Sequence, residues 1–114
     1  MKLAAPTDPI SAPSGPAPTI FEAIVRKLCV LATYNRTRVI LAPHAIYTRH
    51  GDLFVDAITM ALNGVPPREA KLGTFKLAGL NDLERTIRHF EVSALFDAGD
   101  PKYADELLLA AERG

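Results

Sequence analysis

At 114 residues and 12.4 kDa the chain has room for one compact domain, and 48% hydrophobic residues suffice for a core without disulfides. Thirteen Lys and Arg balance thirteen Asp and Glu, which excludes attraction to nucleic acid as a property of the whole molecule. A lone cysteine, Cys29, excludes an internal disulfide and suits a reducing cytoplasm; no apolar run is long enough to cross a bilayer.

Five of the nine prolines (Pro6, Pro9, Pro13, Pro16 and Pro18) fall in the first eighteen residues, among Ala, Ser, Thr and Gly. Proline lacks a backbone donor and small side chains bury little area, so residues 1–18 read as a disordered tail dispensable for folding. Pro6, Asp8 and Pro9 also interrupt any apolar stretch of a secretory signal. The domain is expected over residues 19–114. Thr19 and Glu22 have the spacing of a capping box, and Phe21, Ile24, Val25 and Leu28 follow on one face of a short helix.

The next stretch is strand-rich. CVLATY (29–34) turns at Asn35-Arg36 into TRVILAPHAIYTR (37–49), which is apolar on both faces and therefore covered on both sides. Pro43 cannot donate to a ladder, so a bulge or bend belongs there. His50-Gly51-Asp52 is turn material, LFVDAITMAL (53–62) returns, and Asn63-Gly64 with Pro66-Pro67 makes another loop. A further strand is expected within residues 68–80. Alternation there puts Phe75 and Leu77 toward the core and Lys76 outward. Four or five bent strands with a helix at one end suggest a small SH3-like barrel of α+β class. Asp100 as N-cap, Pro101 at the first helical position, and apolar Tyr103, Ala104, Leu107, Leu108 and Ala111 predict a C-terminal helix.

Charge is unevenly placed. Residues 26–50 hold Arg26, Lys27, Arg36, Arg38 and Arg49 without an acid, whereas residues 91–112 hold six acids against Lys102. Such asymmetry marks an anion-facing side or two solvated surfaces of opposite sign. Three scattered histidines and one cysteine give no metal-ligand spacing. No nucleophile elbow or phosphate loop is visible, so no catalytic residue, metal or cofactor is assigned and no enzyme is expected. Asp56 lies mid-strand, where it could neighbour His44; such a pair is more often a structural hydrogen bond than a general base. Arg68, Lys71 and Lys76 on one strand, with His44 on a neighbour, would suit a phosphate or carboxylate.

Tyr34-Asn35, then Pro43-His44-Ala45-Ile46-Tyr47, then Gly51-x-Leu53-Phe54-Val55-x-Ala57, then Thr74-Phe75-Lys76-Leu77-Ala78-Gly79-Leu80 resemble the WYL domain of bacterial regulators over residues 19–90. Leu53, Phe54 and Val55 stand at the family's Trp-Tyr-Leu positions, and Phe75-Lys76-Leu77-Ala78-Gly79-Leu80 at its closing Phe-Arg-Leu-Asp-Arg-Ile. Lys102-Tyr103 resembles the tail that often follows such domains. The resemblance implies an SH3/Sm-like barrel, here stand-alone and without a helix-turn-helix, that senses nucleotide-like ligands or single-stranded nucleic acid in transcriptional regulation. His44, Tyr47, Phe54, Arg68 and Lys76 are then the implied ligand-binding residues, with Asp56 orienting or neutralising a cation. The alternative is a structural barrel with a degenerate pocket that binds a partner protein or another copy of itself.

Overall fold

The computed structural model describes residues 15–113. The predicted tail therefore lies outside the described residues for positions 1–14. Its predicted boundary at Thr19 is corrected, because helix α1 spans Ala17–Arg26. Pro16 is the N-cap and Pro18 lies in the first turn, where a missing N–H costs nothing; the side-chain capping box is not formed. Lys27 closes the helix in the left-handed region (φ 57°), its N–H bonding to the carbonyls of Ala23 and Ile24.

The buried face of α1 is Ile20, Ala23 and Ile24, rotated from the expected one: Phe21 is half-buried, and Val25 is 67% exposed. One residue separates the helix from β1 (Leu28–Tyr34), so Leu28 serves the strand instead of the helix.

β1 is followed by β2 (Thr37–Arg49), β3 (Asp52–Leu62), β4 (Leu72–Lys76), a short 3₁₀ turn (Leu77–Gly79), β5 (Asn81–His89) and β6 (Leu107–Ala110). Short turns at Asn35-Arg36 and His50-Gly51 make the β1–β2 and β2–β3 pairings, and Asn63-Gly64 turns Leu62 back onto Val65. All three hold positive φ at both residues, the twist-matched geometry of two-residue hairpin loops.

The result is an antiparallel six-stranded sheet in the order β4-β3-β2-β1-β5, with β6 also paired to β2. The sheet is not closed, which corrects the expected closed barrel: β4 and β5 end the path without meeting. The length of β2 permits this arrangement. Its first half pairs with β1 from Thr37 to Leu41, and its second half accepts β6 from Ala45 to Tyr47. Between the halves the register with β3 shifts, Pro43 facing Ala57 and Ala45 facing Asp56, so His44 is the extra residue of a bulge. Seven successive residues, 41–47, are buried, because α1 covers one face and residues 90–106 cover part of the other.

The predicted C-terminal helix is not formed. Asp100 begins as a cap should, its Oδ1 accepting the Lys102 N–H at 2.9 Å, and the Tyr103 and Ala104 amides bond back to Asp100 and Pro101. Ala104 then adopts φ 47° and the turn ends. Leu107–Ala110 pairs with the open edge of β2 instead, where unpaired backbone groups outweigh a modest helix propensity.

Phe75 is half-buried, Leu77 is 4% exposed and Lys76 is exposed, the alternation expected. Phe75 meets the Tyr34 ring edge-on at 5.1 Å. Leu77→Ala and Phe75→Ala are each expected to cost about 2–5 kcal/mol in chemical denaturation, the full burial of Leu77 placing it higher in that range. Lys76→Ala should change stability by about 0.5 kcal/mol or less. A larger loss from Lys76→Ala than from Leu77→Ala would contradict this register.

Candidate functional site

Cross-strand register assembles one face of the sheet from three rows. Ala45, Asp56 and Thr74 form the first, Tyr47, Phe54 and Lys76 the second, and Arg49 and Asp52 the third. Residues directly opposite each other share a face, so these side chains are neighbours although they come from three strands.

Asp56 is the knot of this face. It is 0% exposed, and each carboxylate oxygen accepts two hydrogen bonds. Oδ1 accepts from Tyr47 Oη at 2.7 Å and Thr74 Oγ1 at 2.9 Å; Oδ2 accepts from Lys102 Nζ at 2.8 Å and Tyr103 Oη at 2.6 Å. Burial alone would push the carboxyl up, but the four donors, Lys102 foremost, outweigh it and hold the group below its ordinary value. The same bonds act on the partners. Burial and donation to Asp56 push the Tyr103 phenol up, and the ion pair raises Lys102 against the opposite effect of its own burial. Four donors saturate the carboxylate, which leaves it no acceptor for a substrate proton; its work is to hold a structure together.

Aromatic rings shield this ion pair. Lys102 Nζ lies 5.7 Å from the centroid of Tyr47 and 5.3 Å from that of Tyr103, which meet edge-on at 5.1 Å. The Arg49 guanidinium lies 5.4 Å from the centroid of the same Tyr47 ring, and Nη2 donates to the Lys102 carbonyl at 2.5 Å. Phe54 stacks beside Tyr47 at 6.1 Å.

The five residues implied by the resemblance do not all gather here. Tyr47, Phe54 and Lys76 share a row; Tyr47 is fully buried as its floor, and Phe54 is half-buried. Lys76 is exposed and pairs with Asp52 at 3.4 Å. Arg68 lies in the exposed loop that precedes β4. His44 is 1% exposed: Nδ1 donates to the Ala42 carbonyl at 2.7 Å, and Nε2 accepts the Ser93 N–H at 3.0 Å. It does not pair with Asp56, because the bulge turns it toward Phe90 and Phe96 instead. Asp56 does neutralise a cation, but that cation is Lys102. Thr74, Lys102 and Tyr103 are the members that sequence reasoning missed. The available signal was Asp56 itself, a charge in mid-strand that must find donors somewhere in the chain.

Lys76 also borders a cavity of 370 Å³, lined by Pro16, Ala17, Gly51, Asp52, Leu53, Leu77 and Ala78 besides Lys76 itself. Its walls are apolar apart from the Asp52–Lys76 pair. Among the described residues no group of three or more His, Cys, Asp or Glu is placed to hold a metal, and no helix is long and apolar enough to cross a membrane. The Cys29 thiol is buried, and burial pushes it up, away from the reactive thiolate. Comparison of the chain with models of protein families, with curated proteins and with solved structures found no match.

Proposed function

We propose that the chain is a regulatory ligand-sensing module that takes an anionic ligand, a nucleotide or single-stranded nucleic acid, at Lys76. The observation that carries this reading is the cavity of 370 Å³ with Lys76 and Asp52 at its polar side. Magnitude separates the three cations of this face. Both side chains of the Lys76–Asp52 pair are 52% exposed, and such a surface pair is worth about 0–1 kcal/mol, so an incoming anion can replace Asp52. Lys102 is bound to a fully buried carboxylate, and withdrawing it would strand that charge at a cost of about 3–5 kcal/mol. Arg49 holds a backbone carbonyl and faces Glu106 at 4.0 Å. Lys76 is thus the exchangeable cation, and the Asp56 knot is the rigid floor beside it.

The resemblance to WYL domains, with the link to transcriptional regulation that it implies, belongs to this proposal. A helix followed by antiparallel strands joined by short hairpin turns supports it. Phe54, half-buried, lies directly opposite Lys76 in the β3–β4 register and offers an aromatic surface beside it. One observation favours a second reading, a protein-interaction module with a degenerate pocket: Ile87 on the edge strand β5 is 94% exposed.

Calorimetric titration of a mononucleotide and of a short single-stranded oligonucleotide separates the two. Lys76→Ala is expected to weaken binding by about tenfold or more, equivalent to about 1.4 kcal/mol, with Arg68→Ala near wild type. Affinity for the oligonucleotide should fall as salt rises, since each phosphate contact releases counterions. Equal affinities for the wild type and Lys76→Ala would favour the interaction module.

A further inference from the structure

We infer that His44 is an acid-operated latch on residues 91–106, the covering segment that delivers Lys102 and Tyr103 to Asp56. The latch needs no ligand. The bulge in β2 places the His44 ring between Phe90 and Phe96, with centroids 4.8 Å and 5.4 Å away. A carbonyl can only accept, so Nδ1 carries a hydrogen toward Ala42; a backbone N–H can only donate, so Nε2 offers its lone pair to Ser93. The two bonds define one neutral tautomer. A second proton has a single place to go, Nε2, and there it meets the Ser93 N–H.

Nothing around the ring compensates an imidazolium. Phe90 and Phe96 are neutral, and Tyr47 on the same strand donates to Asp56. Glu91, Asp97 and Glu112, the acids on the elements around the ring, are exposed and do not bond to it. Arg113 is the charged group that bears on it: its guanidinium donates to the carbonyls of Val92 at 3.3 Å, Ser93 at 3.0 Å and Phe96 at 2.5 Å. Burial first, and this like charge besides, hold the imidazole below its ordinary value although the Ala42 carbonyl acts in the opposite direction.

Protonation therefore breaks the Ser93 bond and frees the segment at its start. Phe96 follows, since its amide bonds to the Ser93 carbonyl and its ring packs on Tyr103 at 6.2 Å. The sheet does not depend on this contact. The Ala111 amide bonds to the His44 carbonyl, which the imidazole charge leaves in place.

Amide hydrogen exchange on the full chain tests the latch. The chain holds three histidines, so the double variant His50→Gln/His89→Gln leaves His44 as the only one. In the wild type and in this double variant, the protection factors of the Ser93 and Phe96 amides are expected to fall about tenfold from about pH 7.5 to about pH 5.5, while the β2 and β3 amides keep theirs. His44→Gln retains an acceptor near Nε2 but does not titrate, so its Ser93 protection should be flat across that range. Should His44→Gln fail to fold, the double variant decides by itself. Protection at Ser93 that ignores pH, or a fall shared equally by the whole sheet, would overturn the latch.

Discussion

Asp56→Ala is expected to destabilise the domain by about 3–5 kcal/mol, a large share of the about 5–15 kcal/mol that keeps an ordinary domain folded. The loss comes from both sides of the knot. Lys102 Nζ and the hydroxyls of Tyr47, Thr74 and Tyr103 all donate to this one carboxylate, and two of those groups, Tyr47 and Tyr103, belong to the buried aromatic cluster. Removing the acceptor strands two phenols that water cannot easily reach. Asp56→Asn preserves the shape and one acceptor oxygen but loses the charge, so it should fall between alanine and the wild type. Acid should act on the same group. The folded carboxyl titrates below its usual 3.8, so its contribution is fully present above that value and is lost as pH falls through the folded value. Urea unfolding followed by circular dichroism at neutral pH and at about pH 3 measures both effects. An Asp56→Asn variant with the wild type's acid sensitivity would contradict the assignment.

The second large effect belongs to the helix. Ile24 is fully buried against the sheet and Val25, its neighbour, is 67% exposed. Ile24→Ala is expected to cost about 2–5 kcal/mol, and Val25→Ala about 0.5 kcal/mol or less. Thermal and urea denaturation of the two variants compares them directly. Similar losses would mean that the face first suggested by the spacing of Phe21, Ile24 and Val25 is the one that packs.

Those two residues also show what a sequence carries and what it withholds. The period of α1 was legible, but its buried face was not, because Leu28, counted on the helical face, is the first residue of β1. β2 was legible from end to end, with its two covered faces and the bulge at Pro43, since seven buried residues in succession leave a continuous apolar run. The Asn35-Arg36, His50-Gly51 and Asn63-Gly64 turns were equally readable. β5 was not. Asp82, Glu84, Arg85 and Arg88 give it no apolar alternation, and its pairing with β1 is interrupted by two register shifts. Charge and bulges of this kind are how edge strands resist pairing with other chains, so the features that hide the strand are also useful to it.

The C-terminal segment failed for a different reason. Asp100, Pro101 and the spacing of Tyr103, Leu107, Leu108 and Ala111 are consistent with a helix, and one turn does form. What ends it is the unpaired edge of β2, more than fifty residues upstream in sequence, which no local pattern records. The same blindness applied to the site. Asp56 could be flagged as a buried charge in need of partners, but Lys102 and Tyr103 arrive only because residues 91–106 fold back over the sheet. Conversely, His44 read as a pocket cation, whereas the bulge that Pro43 announced is what turns it inward and keeps it neutral.

The most direct test of the ligand site is where a ligand perturbs the backbone. Amide chemical shifts of the isotope-labelled chain, followed while a mononucleotide is added, report position independently of affinity. Shifts gathered at Gly51, Asp52, Leu53, Lys76, Leu77 and Ala78, and lost in Lys76→Ala, are the predicted result, because those residues border the cavity. Shifts confined to β5 around Ile87, or none at any concentration reached, would contradict it.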